Sequence, residues 1–382
     1  MLNLINLQIS NKSPYDVLIV GAGINGCSCA WFLNRAGLRV ALIDRSGIAQ
    51  GGSGAAGAFI SPKFSKSGLL KEIVAAAHVE ALDFYSQHFP QQTLMRPLLH
   101  IANSASESEK LAAYKSTTAL SFTEVPDALR RMVVPEALEN EAIYLERGAV
   151  VDAQGVCRAM AEGSDFYSLE ASDPVYQDGL WHIGELRGVH MILSTGAYPK
   201  ILGGDSIKLR GIWGHRIDVQ TDTEVPCILH HHVSISPTLS SGTVAIGATH
   251  DVHFDPFGKE TYDIEAGRAA LMEKAARTLK LDNVRVVRDY TGLRSGTHDY
   301  YPIAGELVDE SSSVCEKSGE KPNVQTCVFY PNVWMINGSG GYGFVLAPYL
   351  ARRICERIVS GREIDPSLSP ARFFLRRMKR QS

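Results

Sequence analysis

The chain has 382 residues, with 38 Lys plus Arg against 41 Asp plus Glu and a formal net charge of −3. That length fits about two domains of roughly 100–200 residues each, enough to bury a core without disulfides or structural metals. A hydrophobic content of 45% and a charged content of 21% exclude a disordered, collagenous or coiled-coil chain, and the near-neutral balance excludes a wholly polyanion-binding block.

Met1 to Tyr15 lacks a basic stretch followed by an apolar one, so no signal peptide is expected. No apolar run reaches the ~18 residues of a membrane span. After the polar Asn11, Lys12, Ser13 and Pro14, residues 16–20 predict a buried parallel strand. A glycine-rich turn leads into a helix over 27–36, closed by Gly37, and residues 39–43 predict a second buried strand ending on Asp44. A long helix is expected over 69–88, whereas 90–149 mixes Pro, charge and short apolar runs. A short helix over 156–162 precedes strands at 167–171, 179–184, 189–193, 210–220 and 243–248. A charged helix follows at 264–279, a surface loop at 309–323, a strand at 333–336 and a helix at 344–359 with Gly361 beyond it. The end carries Arg372, Arg376, Arg377, Lys379 and Arg380 and no acid, which reads as a solvated, frayed basic tail. The alternative is a contact for phosphate-rich nucleic acid.

The chain has 7 Cys, and Cys27 and Cys29 form neither a CxxC pair nor a zinc knuckle, so a reduced, cytosolic protein is expected. His230, His231 and His232 invite a metal reading. On a strand alternate residues face opposite sides, so at most two could share a site, and no Cys or acid stands at ligand spacing. No metal is expected, and the segment reads as partly exposed strand or loop.

Three glycine clusters carry the chemistry. Gly21, Gly23 and Gly26, with Ile24 and Asn25 between them, form G-x-G-x-x-G after a strand and before a helix, with Asp44 about twenty residues on, the context of a dinucleotide site. The helix N-terminus faces the phosphates and Asp44 the ribose hydroxyls, which disfavours a 2′-phosphate. A second cluster, Gly51-Gly52-Ser53-Gly54-Ala55-Ala56-Gly57-Ala58, follows directly. A nicotinamide domain has no use for it there, whereas a flavin runs on past the first helix; the bland reading is a flexible loop. The third, Asn337 to Gly343, again joins strand to helix, where the reduced flavin would develop negative charge.

These pieces resemble the FAD-dependent oxidoreductases of the D-amino-acid oxidase/glycine oxidase (DAO) superfamily. Ser194-Thr195-Gly196-Ala197, Gly292-Leu293-Arg294, Asp299, Pro302 and Gly305 add to the likeness, in the family's order over residues 16–361. Further stretches are similar to the oxidoreductase domain of the bifunctional tRNA wobble-uridine modification (MnmC) family: Ser61-Pro62-Lys63, Cys157-Arg158-Ala159, Ile246 to Thr249 and Arg294 to Asp299. The resemblance implies an α/β fold with a discontinuous Rossmann-like FAD-binding domain (14–88, 150–203 and 286–365). A second α+β substrate domain with an antiparallel sheet would use 89–149 and 204–285, followed by a tail over 366–382. FAD contacts are expected at Gly21, Gly23, Ile24, Asn25, Gly26, Asp44, Arg45, Gly52, Ser53, Gly54, Ala56, Gly57, Ala58, Val175, Thr195, Gly196, Arg294, Gly338, Gly340, Gly341, Tyr342 and Gly343.

The activity so implied is removal of the carboxymethyl group from 5-carboxymethylaminomethyl-(2-thio)uridine in tRNA, giving the 5-aminomethyl nucleoside and glyoxylate, with dioxygen as acceptor. Arg294 would anchor the substrate carboxylate, Tyr300 or Tyr301 could add a hydroxyl, and Arg210 or Arg216 could line the substrate strand. Lys63 reads as solvated or as a flavin contact. Family members usually carry an N-terminal methyltransferase domain; only 15 residues precede the expected first strand here, so that activity would come from a separate partner. Two other readings stay open: an oxidase or dehydrogenase of small amines such as glycine, sarcosine or D-amino acids, and a non-catalytic flavin-binding subunit.

Overall fold

The computed structural model describes residues 13–65, 67–198, 200–313 and 323–381. The start of the chain, most of the expected 309–323 loop and Ser382 lie outside the described residues.

Two sheets organise the chain. The first has eight strands. Its parallel part runs Phe329–Asn337, Leu186–Leu193, Tyr15–Val20, Val40–Asp44 and Asp165–Ser168, with Ile303–Val308 antiparallel at one edge. The apolar run Asp16 to Val20 forms the middle of this sheet because both of its faces are covered; Val17, Leu18 and Ile19 have no exposed surface. On one face lie the helices Ile24–Arg35, Leu69–His88, Ala153–Ala161 and Gly343–Ser360, sharing a core with Leu33, Tyr85, Val156, Met160 and Leu350. Tyr85 is fully buried and donates its hydroxyl hydrogen to the Phe344 carbonyl (2.8 Å), which pins the second helix to the last long one.

The second sheet has nine strands and is mainly antiparallel. Arg285–Thr297 lies at one edge, followed by Leu209–Gln220, Thr243–Gly247, Ser234–Ile235, Ile228–His230, Thr93–Ile101, Ala142–Val151 and Phe59–Ile60. Ile264–Ala276 covers part of it, burying Leu271 and Ala275 against Ile217, Val244 and Ile246.

Several expectations change. The 90–149 region, which looked irregular, contains two long strands and the helix Ala105–Lys115. Pro97 obscured the first strand, and the structure absorbs it at a register shift between Arg96 and Leu98. Arg285–Thr297 went unseen because an edge strand carries charge (Arg285, Arg288, Asp289) that masks alternation. This strand and Phe59–Ile60, both assigned by sequence to the FAD lobe, hydrogen-bond into the nine-stranded sheet instead. Periodicity does not reveal a strand's partner. The first helix begins at Ile24 rather than 27, directly on the glycine turn.

The basic end is not a frayed tail. Ala371–Gln381 is a helix that buries Phe373 and Phe374. Arg372 donates to Asp299 (3.0 Å) and Arg376 to the same carboxylate (2.6 Å), while Arg377 pairs with Glu310 (2.7 Å). Burial works against ionisation of Asp299, but Arg372 and Arg376 outweigh it and hold the carboxyl below its ordinary range. No helix among the described residues is long and apolar enough to cross a membrane.

Asp299 and Arg372 are each only 11% exposed at the side chain. Asp299→Asn leaves Arg372 buried without its counter-charge and is expected to lower unfolding stability by about 2–4 kcal/mol in urea titrations. Arg376→Ala, at a half-exposed position, is expected to cost under about 1 kcal/mol.

Candidate flavin and substrate site

A cavity of 540 Å³ opens between the two sheets. Its lining draws on all three glycine clusters, on Asp44, on Ser194 to Gly196, and on Arg294.

The fingerprint turn is shaped by close backbone contacts. Gly21 has φ +103°, and a Cβ there would strike the Ser194 carbonyl; one on Gly26 would strike the Gly21 carbonyl. The helix therefore starts tight against the strand with its first N–H groups turned to the cavity, where they have no intrahelical acceptor. Ser53, from the second cluster, accepts the Ile24 N–H (2.9 Å), so one loop caps the helix of the other. Asp44 has a structural task as well: its carboxylate accepts the Ala22 N–H (2.8 Å) and the Ser46 N–H (2.8 Å) and so joins the turn to the end of the second strand.

The second cluster lies backbone to backbone on the long edge strand. A Cβ on Gly52 would meet the Leu293 carbonyl, and one on Gly292 would lie 2.9 Å from the Ala55 Cβ. Arg216 reaches across and donates to the Ala56 carbonyl (2.5 Å). In the third cluster Asn337 donates to the Gly196 carbonyl (2.9 Å), and the turn Gly340–Tyr342 leads into the final long helix.

Arg294 follows the Gly52 contact. Its guanidinium donates to the Thr249 carbonyl (3.0 Å), and Gly214, diagonally placed on the neighbouring strand, leaves room, since a Cβ there would overlap the guanidinium. Among the described residues Arg294 forms no ion pair; burial lowers its pKa from the ordinary arginine value. Thr249 is held in turn, its Oγ1 accepting the His215 N–H (2.8 Å).

The cavity brings together most of the expected residues. Gly26 and Gly54 stand behind the lining as packing glycines, and Ile24, Asn25, Thr195 and Tyr342 are on it. Other expected residues are not brought in. Arg45 lies outside, over the Tyr198 ring and paired with Glu170. Val175 starts a peripheral strand and is 54% exposed. Gly338 is behind the wall, against Thr297. Tyr300 is 63% exposed and stacks with Arg210 on the outside, and the Tyr301 carbonyl accepts from Arg372 (2.8 Å). Neither tyrosine reaches Arg294. Lys63 is half-buried rather than solvated, with its ammonium 5.4 Å from the Tyr342 ring centre.

Sequence reasoning missed one wall. Ser61 and Ser234 flank His230 at 2.7 and 2.8 Å, and His100 stacks on Phe64 with ring centres 4.1 Å apart. Burial pushes the His230 imidazole down to about 4; burial, with the neighbouring histidines, takes His100 down to about 3. The triple histidine was the one available signal. It raised a metal only for spacing to set that aside, and spacing cannot show that two serines take both ring nitrogens of the first.

The residues fit FAD. Glycine turns line a cleft too close for side chains, Asp44 stands at the end of the second parallel strand, and the buried Asn25 Oδ1, Ser295 Oγ and Ser339 Oγ have no partners among the described residues. Ligands of this shape lie at the carboxyl ends of parallel strands. Fold and site together define a two-sheet dinucleotide-binding protein of the flavoenzyme type. The sequence profile of the FAD dependent oxidoreductase family, DAO, matches residues 16–357, and the chain belongs to that family.

It is 26% identical over 380 residues to the tRNA 5-methylaminomethyl-2-thiouridine biosynthesis bifunctional protein MnmC of Maricaulis maris (strain MCS10), covering 95% of this chain and 56% of that protein. The chain therefore spans less than two thirds of that relative's length. Glycine oxidase from Geobacillus kaustophilus shares the fold with a TM-score of 0.74 at 19% identity, covering 94% of this chain and 98% of that one. L-alpha-glycerophosphate oxidase from Mycoplasma pneumoniae, solved with FAD bound, gives 0.72 at 16% identity, covering 94% and 98%.

Asp44→Ala removes the acceptor that ties Ala22 to the second strand, and it is expected to cut retained FAD about tenfold or more, read as the flavin-to-protein absorbance ratio. Arg45→Ala should leave the ratio unchanged. A pH effect follows from the histidines. An imidazole whose folded pKa lies below its unfolded value of about 6.5 takes its proton first in the unfolded chain. Stability should therefore fall as pH drops from about 6.5 toward the His230 value of about 4. Urea midpoints in that range should decline, and less steeply in His230→Gln.

Proposed function

We propose that the protein oxidises a secondary amine of the N-substituted glycine type, removing a carboxymethyl group from 5-carboxymethylaminomethyl-(2-thio)uridine at the tRNA wobble position. The observation that carries this reading is Arg294: a largely buried guanidinium without an acid partner among the described residues, lining the same cavity as the glycine loops. Among the described lining residues the only carboxylate is Asp44, which belongs to the parallel sheet. A buried cation without its counter-charge is costly, and a substrate carboxylate accepting two parallel hydrogen bonds supplies one.

FAD, when bound, takes up the two electrons and the hydrogen of the C–H bond beside the amine nitrogen. Arg294 holds the carboxylate so that this bond faces the glycine loops, and the Thr249 carbonyl sets the tilt of the guanidinium plane. Phe59, Phe64 and Tyr342 exclude water from the walls, and burial pushes the Tyr342 hydroxyl up to about 12, so it keeps its proton. Water then releases glyoxylate and the aminomethyl product from the oxidised substrate. The tRNA part of the reading is supported by the likeness to the MnmC protein over 95% of this chain. Dioxygen as acceptor belongs to the same proposal.

Anaerobic mixing with an anticodon stem-loop carrying the carboxymethylaminomethyl nucleoside should bleach the visible flavin band and release glyoxylate. Faster bleaching by free glycine, sarcosine or a D-amino acid would instead indicate a small-molecule oxidase, and no bleaching by any of them a binding subunit. Arg294→Met should lower kcat/KM about 100-fold or more with flavin content unchanged, and Arg294→Lys should recover only part, because an ammonium lacks the planar fork.

A further inference from the structure

The Ser61–His230–Ser234 wall has no task in that scheme. His230 ends one short strand of the antiparallel sheet, Ser234 starts the next, and Ser61 follows the strand Phe59–Ile60; all three line the cavity. His230 Nε2 lies 2.7 Å from Ser61 Oγ and its Nδ1 2.8 Å from Ser234 Oγ. Burial keeps this imidazole uncharged near neutral pH.

An uncharged imidazole has one donor and one acceptor nitrogen. One serine must therefore donate to the ring and the other accept from it. The donating serine has spent its hydrogen but keeps lone pairs. The accepting serine keeps its hydrogen. Toward the cavity the pair shows one acceptor and one donor, and the other ring tautomer exchanges them. A carboxylate, which only accepts, satisfies one of the two, as does an ammonium, which only donates. A neutral edge with an N–H beside a C=O satisfies both.

The surroundings suit a flat ring. Phe64 and His100 are stacked with planes 7° apart, and Phe59 stands edge-on to His230 at 5.4 Å. His100 Nδ1 is buried with no partner among the described residues. We propose that Ser61, His230 and Ser234, with Phe64 and His100 beside them, form a subsite for a neutral planar heterocycle with an imide-type edge, the pyrimidine type. This deepens the N-substituted glycine reading and rests on it: with the carboxylate on Arg294, the nitrogen substituent is what reaches this wall. Free glycine leaves the wall empty.

The test uses the flavin-loaded full chain and reads binding rather than turnover. Uridine and 3-methyluridine, whose imide N–H is blocked, are titrated while the shift of the visible flavin band is followed. Uridine should bind about tenfold tighter or better, the worth of about one buried hydrogen bond with its partner stranded. His230→Phe should bind both alike, and so should Ser61→Ala/Ser234→Ala, which serves if the phenylalanine variant loses flavin. Phe64→Ala should weaken both ligands and keep their ratio. Equal binding of the two by the unmodified protein, or a preference that survives in both the histidine and the serine variants, overturns the subsite. Failure of N-alkylglycines to bleach the flavin overturns the amine reading instead, and is seen separately from the titration.

Discussion

The site depends on two backbones touching. Gly52 lies against the Leu293 carbonyl and Gly292 against Ala55, so the loop after the second parallel strand rests directly on the edge strand of the other sheet. Any side chain at Gly52 would hold the two apart. With the contact made, the next residue along the strand, Arg294, is brought to the cavity, and Gly214 on the neighbouring strand leaves space for its guanidinium. Glycine is costly in a strand because it loses more chain entropy and packs no side chain. Here the loss at Gly214 and Gly292 is offset by a close approach that no other residue permits.

The two sheets divide the work for a physical reason. Parallel strands expose their carboxyl ends together with helix N-termini, so that edge collects glycine turns and unpaired N–H groups suited to a long anionic cofactor. The antiparallel sheet has no such edge and offers side chains from one face. Those side chains, His230, Ser234, His100 and Arg294, line the cavity on that side. Burial acts on them differently. An imidazole gives up its proton and stays as a neutral hydrogen-bonding group, whereas a guanidinium keeps its charge at the same depth. The cavity thus holds one permanent cation beside a neutral polar wall.

Charge is used structurally elsewhere. Asp299 sits just past the Arg294 strand and takes both Arg372 and Arg376 of the final helix. The same arginines that look like a nucleic-acid tail in one dimension fasten the last helix beside that strand. Composition alone cannot tell a free basic run from a pinned one, because the partner carboxylates lie about seventy residues away in sequence.

The parallel core and the cofactor are legible in the order of residues alone. Strand, glycine turn, helix, strand and Asp44 are neighbours in the chain, so their spacing carries the geometry, and the helix at Leu69–His88 has the expected bounds. The histidine–serine wall, the sheet to which Arg285–Thr297 belongs and the outward placement of Tyr300 emerge only once the chain is folded. Those depend on pairings between residues far apart in the chain, from about 65 positions for the Arg285–Thr297 strand and its neighbour to 169 for Ser61 with His230. Local periodicity reports which face of an element is buried; it holds no information about what lies on the other side of the contact.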